Sequence, residues 1–128
     1  MADAAEQFPR PLSEREAAIL AFLLSVETSG VDALRRQAAT ATVVGKCECG
    51  CATIYLAVDR AAAASSPLPS RVAIEAFSHD QGSETRSYLL LFLDDGWLDR
   101  VEIFWHGDRV PPIEFPPPDA FQPPRLSA

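Results

Sequence analysis

The hydrophobic period of this chain changes once, near Thr40, from helical spacing to alternation, and that switch decides most of what the chain can fold into. Upstream, Ile19, Phe22, Leu23 and Val26 recur at i, i+3, i+4 and i+7, an apolar stripe that must face a partner surface. Ser13-Glu14-Arg15-Glu16 supplies the start signal. The Ser13 hydroxyl can accept the amide three residues on, while Glu16 reaches back to the Ser13 amide. Gly30 can adopt the left-handed conformation that ends such a helix. A second, shorter helix from Val31 to about Ala39 would present Val31, Leu34 and Ala38 on one side and Arg35 and Arg36 to water.

Downstream, Thr40 to Lys46 and Thr53 to Val58 read as strands flanking Cys47-Glu48-Cys49-Gly50-Cys51. A two-residue turn at Cys49-Gly50 would set Val43 opposite Leu56, Gly45 opposite Ile54 and Ala41 opposite Val58. The aliphatics then share one face, leaving Thr42, Val44, Lys46, Thr53 and Tyr55 on a solvated side. The small, proline-punctuated segment from Asp59 to Ser70 is a connecting loop. Arg71 to Phe77 alternates as a third strand. Arg86 to Leu93 and Leu98 to Trp105 are two more, joined at Asp94-Asp95-Gly96, a hairpin signal because Gly tolerates positive φ. Leu89 to Leu93 is apolar at every position, so that strand should be central and covered on both faces.

From Gly107 onward the chain holds seven of its 11 prolines, which cannot donate to a ladder. The expectation is an extended tail that docks Ile113, Phe115 and Phe121 and seals a sheet edge. The fold class is therefore α+β: two N-terminal helices packed on one face of an antiparallel meander sheet of about five strands. The organisation is an irregular arm over residues 1–12, a single domain over 13–106 and a proline-rich tail over 107–128.

A formal charge of −7, from 18 acids against 11 bases, repels phosphate backbones, so nucleic acid is not an expected partner. The first residues carry neither a basic start nor an apolar core, so no secretory signal is expected. No apolar run approaches the ~20 residues a membrane span needs, and no membrane partner is expected. Three cysteines crowded between positions 47 and 51 suit reduced thiols better than a disulfide framework, which makes cytoplasm the expected compartment.

Leu12-Ser13-Glu14-Arg15-Glu16, the Gly30 to Arg35 segment with Gln37, and Val44 to Cys51 followed by Thr53-Ile54 occur in that order. Together they resemble a group of short uncharacterised bacterial proteins with an N-terminal helix pair and a Cys-x-Cys-Gly-Cys hairpin. The likeness spans about residues 12–118, counting Glu114-Phe115-Pro116, and its most specific part is the cysteines. Members tend to carry proline after the third cysteine, where this chain has Ala52. The group has no established activity, so the resemblance implies a fold and leaves function open.

Cys47, Cys49 and Cys51 are the one constellation with chemical promise, since thiolates are soft donors that could fill three of four tetrahedral zinc positions. In the register above, however, Cys47 points with Ile54 into the core, Cys49 sits in the turn and Cys51 lies on the other face. Diverging sulfurs favour simple packing. A different loop would gather them, with His106 or His79 as fourth ligand. Cys-x-Cys is not the usual redox spacing, so an oxidisable Cys49 is expected without a catalytic cycle. His79-Asp80 and His106 read as solvated groups, Asp94 and Asp95 as turn formers, Glu14 and Glu16 as capping residues, and Trp97 and Trp105 as core or rim. With no convergent catalytic groups, an enzyme is not expected. The leading expectation is a non-catalytic protein-binding or accessory module of the immunity-protein kind, engaging another protein without a cofactor. The alternative is a small zinc-binding protein using Cys47, Cys49, Cys51 and His106.

Overall fold

Ser13 and Glu16 exchange the two hydrogen bonds of a capping box, and the first helix follows from them. In the computed structural model, which describes residues 7–79, 86–105 and 112–127, the Glu16 amide donates to Ser13 Oγ at 3.1 Å and the Ser13 amide to Glu16 Oε1 at 2.8 Å. Helix α1 spans Glu14–Leu23. It stops well before Gly30, which instead caps the start of α2, Val31–Ala38, at φ 95°. The carbonyls left open at the end of α1 are taken by Arg35. Its Nε donates to Leu24 O at 2.9 Å and its Nη2 to Val26 O at 3.3 Å, so a residue expected to face water clamps the two helices together.

Among the described residues seven strands form one sheet: β1 (Arg10–Pro11), ahead of α1, then β2 (Thr42–Lys46), β3 (Ile54–Ala57), β4 (Val72–Phe77), β5 (Ser87–Asp94), β6 (Trp97–Trp105) and β7 (Arg125–Leu126). Their order is β1-β2-β3-β6-β5-β4-β7, and every pairing is antiparallel. The expected meander therefore breaks at one step: β2–β3 and β4-β5-β6 pair as neighbours, whereas β3 and β4 do not. Strand β3 pairs with β6, and the chain between β3 and β4 crosses to the other side of the β5–β6 pair. A simple meander would leave β6, the longest strand, with an unpaired edge, whereas this order hydrogen-bonds both of its sides.

The crossing segment is pinned by Gln37, which is fully buried. Its Nε2 donates to Ala64 O and Gly96 O, both at 2.9 Å, and its Oε1 accepts the Leu98 amide at 2.8 Å. Buried amides need such partners. At the same place the β5–β6 hairpin turns through Asp95 at φ 51° and Gly96 at φ 83°, the two positive angles of a type I′ turn.

Two regions differ from expectation at the sheet edges. Arg10–Pro11, placed in an irregular arm, pairs with β2. The tail is not one extended segment: it holds a 3-10 turn at Pro118–Ala120 and buries Phe115 and Phe121. Its proline-free Arg125–Leu126 covers the β4 edge, since only residues with an amide can join a ladder. Ile113, expected to dock, is 74 % exposed.

The core lies between the helices and one sheet face, with Ile19, Leu23, Leu34, Ile54, Leu89 and Ile103 among its fully buried members. Strand β5 alternates instead of being covered twice: Leu89, Leu91 and Leu93 are buried, whereas Tyr88, Leu90 and Phe92 are half-buried. Its outer face is shielded laterally. Tyr88 meets Phe77 edge-on at 5.2 Å, and the Arg100 guanidinium lies 3.9 Å over Phe92. No helix among the described residues is long and apolar enough to cross a membrane.

Candidate metal centre

The β2–β3 hairpin begins in the expected register, Thr42 opposite Ala57 and Val43 opposite Leu56, and then slips. Beyond Val43 a bulge sets Gly45 opposite Tyr55 and Lys46 opposite Ile54, leaving Val44 without a partner and 43 % exposed. One extra residue exchanges the faces of the residues that follow it on the bulged strand, while β3 keeps Ile54 and Leu56 buried. The ladder carries on through the Cys47 amide, which donates to Thr53 O at 3.2 Å. Glu48 to Ala52 therefore close the hairpin as a five-residue loop in place of the expected two-residue turn.

That loop curls inward. The Gly50 amide donates to Cys47 O at 3.2 Å, and Gly50 holds φ 89°, a conformation that glycine adopts without strain. The Ala52 amide donates to Pro112 O at 2.8 Å, so the C-terminal segment buttresses the loop from outside. The three cysteine sulfurs consequently converge: all lie within 4.8 Å of one another. This corrects the expectation of divergent thiols, and the reason is the slip at Val44 together with the wider loop.

The sulfurs sit in graded environments. Cys49 is exposed, Cys47 intermediate and Cys51 buried. Cys47 Sγ and Cys49 Sγ are 3.0 Å apart. The Cys51 amide donates to Cys49 Sγ at 3.4 Å, and Cys51 Sγ lies 3.3 Å from Thr53 Oγ1. Thr53 is itself buried, and its oxygen accepts the Ile103 amide at 3.1 Å, which roots the innermost sulfur in the central sheet. Sequence reading had set Thr53 on the solvated side. Instead it is buried between the cysteine loop and β6, where its hydroxyl can accept from a Cys51 thiol or donate to a Cys51 thiolate.

In a tetrahedral zinc site with Zn–S bonds of about 2.3 Å, the sulfurs stand ~3.8 Å apart. The separations here, from 3.0 Å to no more than 4.8 Å, bracket that value. An N–H or O–H aimed at a ligating sulfur is the kind of outer contact that orients a donor.

Lys46, at the base of the loop, borders a small crevice with Arg15, Glu16, Ala52 and Phe115. Burial raises the Glu16 pKa, but the Arg10 guanidinium, the Ser13 amide and the charges of Arg10 and Lys46 outweigh it and hold the carboxyl below its ordinary 4.5. The Arg10–Glu16 contact is bidentate, at 2.8 and 3.0 Å.

Among the described residues, the remaining candidates stay apart from the cysteines. His79 is exposed beside Phe22 and Phe121, its amide bound to Ala120 O at 3.0 Å. His106 and Asp80 lie outside the described residues. Asp94 and Asp95 are exposed at the β5–β6 turn, Trp97 carries Arg60 at 4.8 Å over its ring, and Trp105 packs at the core rim.

Fold and site together describe an α+β domain with two helices on a seven-stranded antiparallel sheet and a tricysteine hairpin. No family model, curated protein or solved structure matches the chain.

Proposed function

We propose that this chain is a small, non-catalytic metal-binding protein whose Cys47, Cys49 and Cys51 thiolates hold one zinc ion. The observation that carries the reading is the convergence of the three sulfurs within 4.8 Å around a loop whose bulge and width gather them. Three thiolates supply soft, anionic donors and leave one tetrahedral position for a further protein group, water or exchangeable ligand. The acidic chain, at −7, favours cation approach. Hydrogen bonds from the Cys51 amide and between Cys51 and Thr53 orient two of the sulfurs.

Metal analysis of reduced protein, purified without chelator, tests this. About one equivalent of zinc is expected, falling below about a tenth in a C49S/C51S variant that keeps its helical and sheet circular dichroism. Less than about a tenth of an equivalent in the unmodified chain contradicts the reading.

A second reading, engagement of another protein, is supported by the outer sheet face, where Phe104 is 46 % exposed beside Tyr88 at 5.7 Å. A photo-crosslinker at position 104 would then trap a partner that the same probe at Asp32, on exposed α2 surface, does not.

A further inference from the structure

The three sulfurs are not equivalent, and the inequality points to a function for the site beyond holding an ion. Cys49 is exposed and Cys47 lies 3.0 Å from it, whereas Cys51 is 2 % exposed and tied to Thr53. A reactive pair therefore stands outermost and an anchored thiol innermost. Oxidation-sensing cysteines are solvent-accessible and stand next to a resolving thiol, which is the relation of Cys49 to Cys47.

We propose that Cys47 and Cys49 close a reversible disulfide in the presence of a peroxide, and that closure discharges the bound metal while Cys51 stays reduced. The proposal rests on the zinc reading for the released ion; the choice of sulfur pair rests on geometry alone. The Cys49 thiolate attacks one peroxide oxygen, the O–O bond breaks, and hydroxide leaves, giving Cys49 sulfenic acid. The Cys47 thiolate then attacks the Cys49 sulfur. The S–S bond forms as the S–O bond breaks, and a second hydroxide leaves. Two protons from solvent convert both hydroxides to water, so two thiolates lose two electrons and one peroxide gains them. The metal is left with a single anionic sulfur, too few donors to retain it.

The loop can accommodate closure. A disulfide needs the sulfurs about 2.05 Å apart, so the pair must approach by ~1 Å. Movement on that scale falls in an exposed stretch where nothing lies within 4 Å of a side chain built at Gly50. A small-molecule dithiol, or a cellular thiol of the glutathione class, would return the pair to the reduced state by exchange.

The test uses the full chain, reduced, loaded with zinc and freed of excess metal, with hydrogen peroxide added in the presence of a chromogenic zinc chelator. Expected are release of about one equivalent of zinc, a monomer mass lower by about 2 Da, and restored zinc binding after dithiothreitol. Alkylation of the oxidised protein followed by tryptic fragmentation should label Cys51 and neither Cys47 nor Cys49 in the fragment that starts after Lys46. Label on Cys47 or Cys49, a higher oxide without a disulfide, or zinc retained after the disulfide has formed would each overturn the proposal. Should the reduced chain hold no zinc at all, the metal reading and the release step both fail, and the alkylation map still decides the sulfur pair. That map needs no variant, so a substitution that fails to fold cannot obscure it.

Discussion

Two of the hairpins, β5–β6 and β2–β3, solve the same closure problem in opposite ways. Between β5 and β6 the strands turn in two residues, Asp95 and Gly96, with the positive φ angles that a tight turn requires. Between β2 and β3 the chain takes five residues and a bulge at Val44, and encloses three sulfurs. The first is explained completely by local turn chemistry. The second departs from the shortest closure, and departures of this kind are where function is expected to concentrate. One hairpin is closed by turn chemistry alone, and the other has the width that the proposed zinc site requires.

The contrast predicts unequal tolerance to the same substitution. A Cβ at Gly96 would fall 2.2 Å from Ser66 O, where the Ser66 amide already bonds Gly96 O at 2.8 Å. Gly96→Ala should therefore cost about 4 kcal/mol in urea unfolding, combining backbone strain with displacement of the crossing segment. Gly50→Ala meets no atom within 4 Å and should cost only about 1 kcal/mol, from its φ of 89° alone. Equal losses at the two glycines would break the comparison.

A smaller effect separates the charge on the helix cap from its hydrogen bonds. Glu16→Gln keeps the capping box but loses the ion pair with Arg10, and should destabilise by about 1.5 kcal/mol at neutral pH. Because the folded state lowers the Glu16 pKa, its stabilisation is present above 4.5 and is lost as pH falls through the lower folded value. The difference between wild type and Glu16→Gln should thus shrink on acidification. A constant difference from pH 7 down to 2 would contradict the assignment.

A further effect falls on the site itself. Thr53→Val removes the hydroxyl beside Cys51 while preserving a strand-compatible shape, and should weaken zinc about 10-fold in a chelator competition. Unfolding should shift less than for Gly96→Ala. Unchanged affinity would show that Thr53 serves only the Ile103 amide.

Much of this architecture was legible in the residues. The capping box, the α+β order and the Asp95-Gly96 turn follow from local rules, and all three appear. What failed depended on tertiary context. Nothing in Val43-Val44-Gly45 announces which residue bulges, yet that slip, with the wider loop, reverses the expected scatter of the sulfurs, and only the loop and β6 provide the partners that let Thr53 be buried. Strand order was equally hidden, because β3 and β4 are neighbours in sequence and the pairing is decided by the β5–β6 unit. Gln37 shows the same limit: its polar type reads as surface, and only the crossing segment and the β5–β6 turn provide partners that allow its burial. Arg35 likewise found carbonyls that helical periodicity cannot reveal.

X-ray absorption at the zinc edge on the reduced, zinc-loaded chain tests the convergence of the sulfurs most directly. Three sulfurs at about 2.3 Å, falling to two in Cys51→Ser, is the expected result. A first shell of oxygen and nitrogen with one sulfur or none would contradict it.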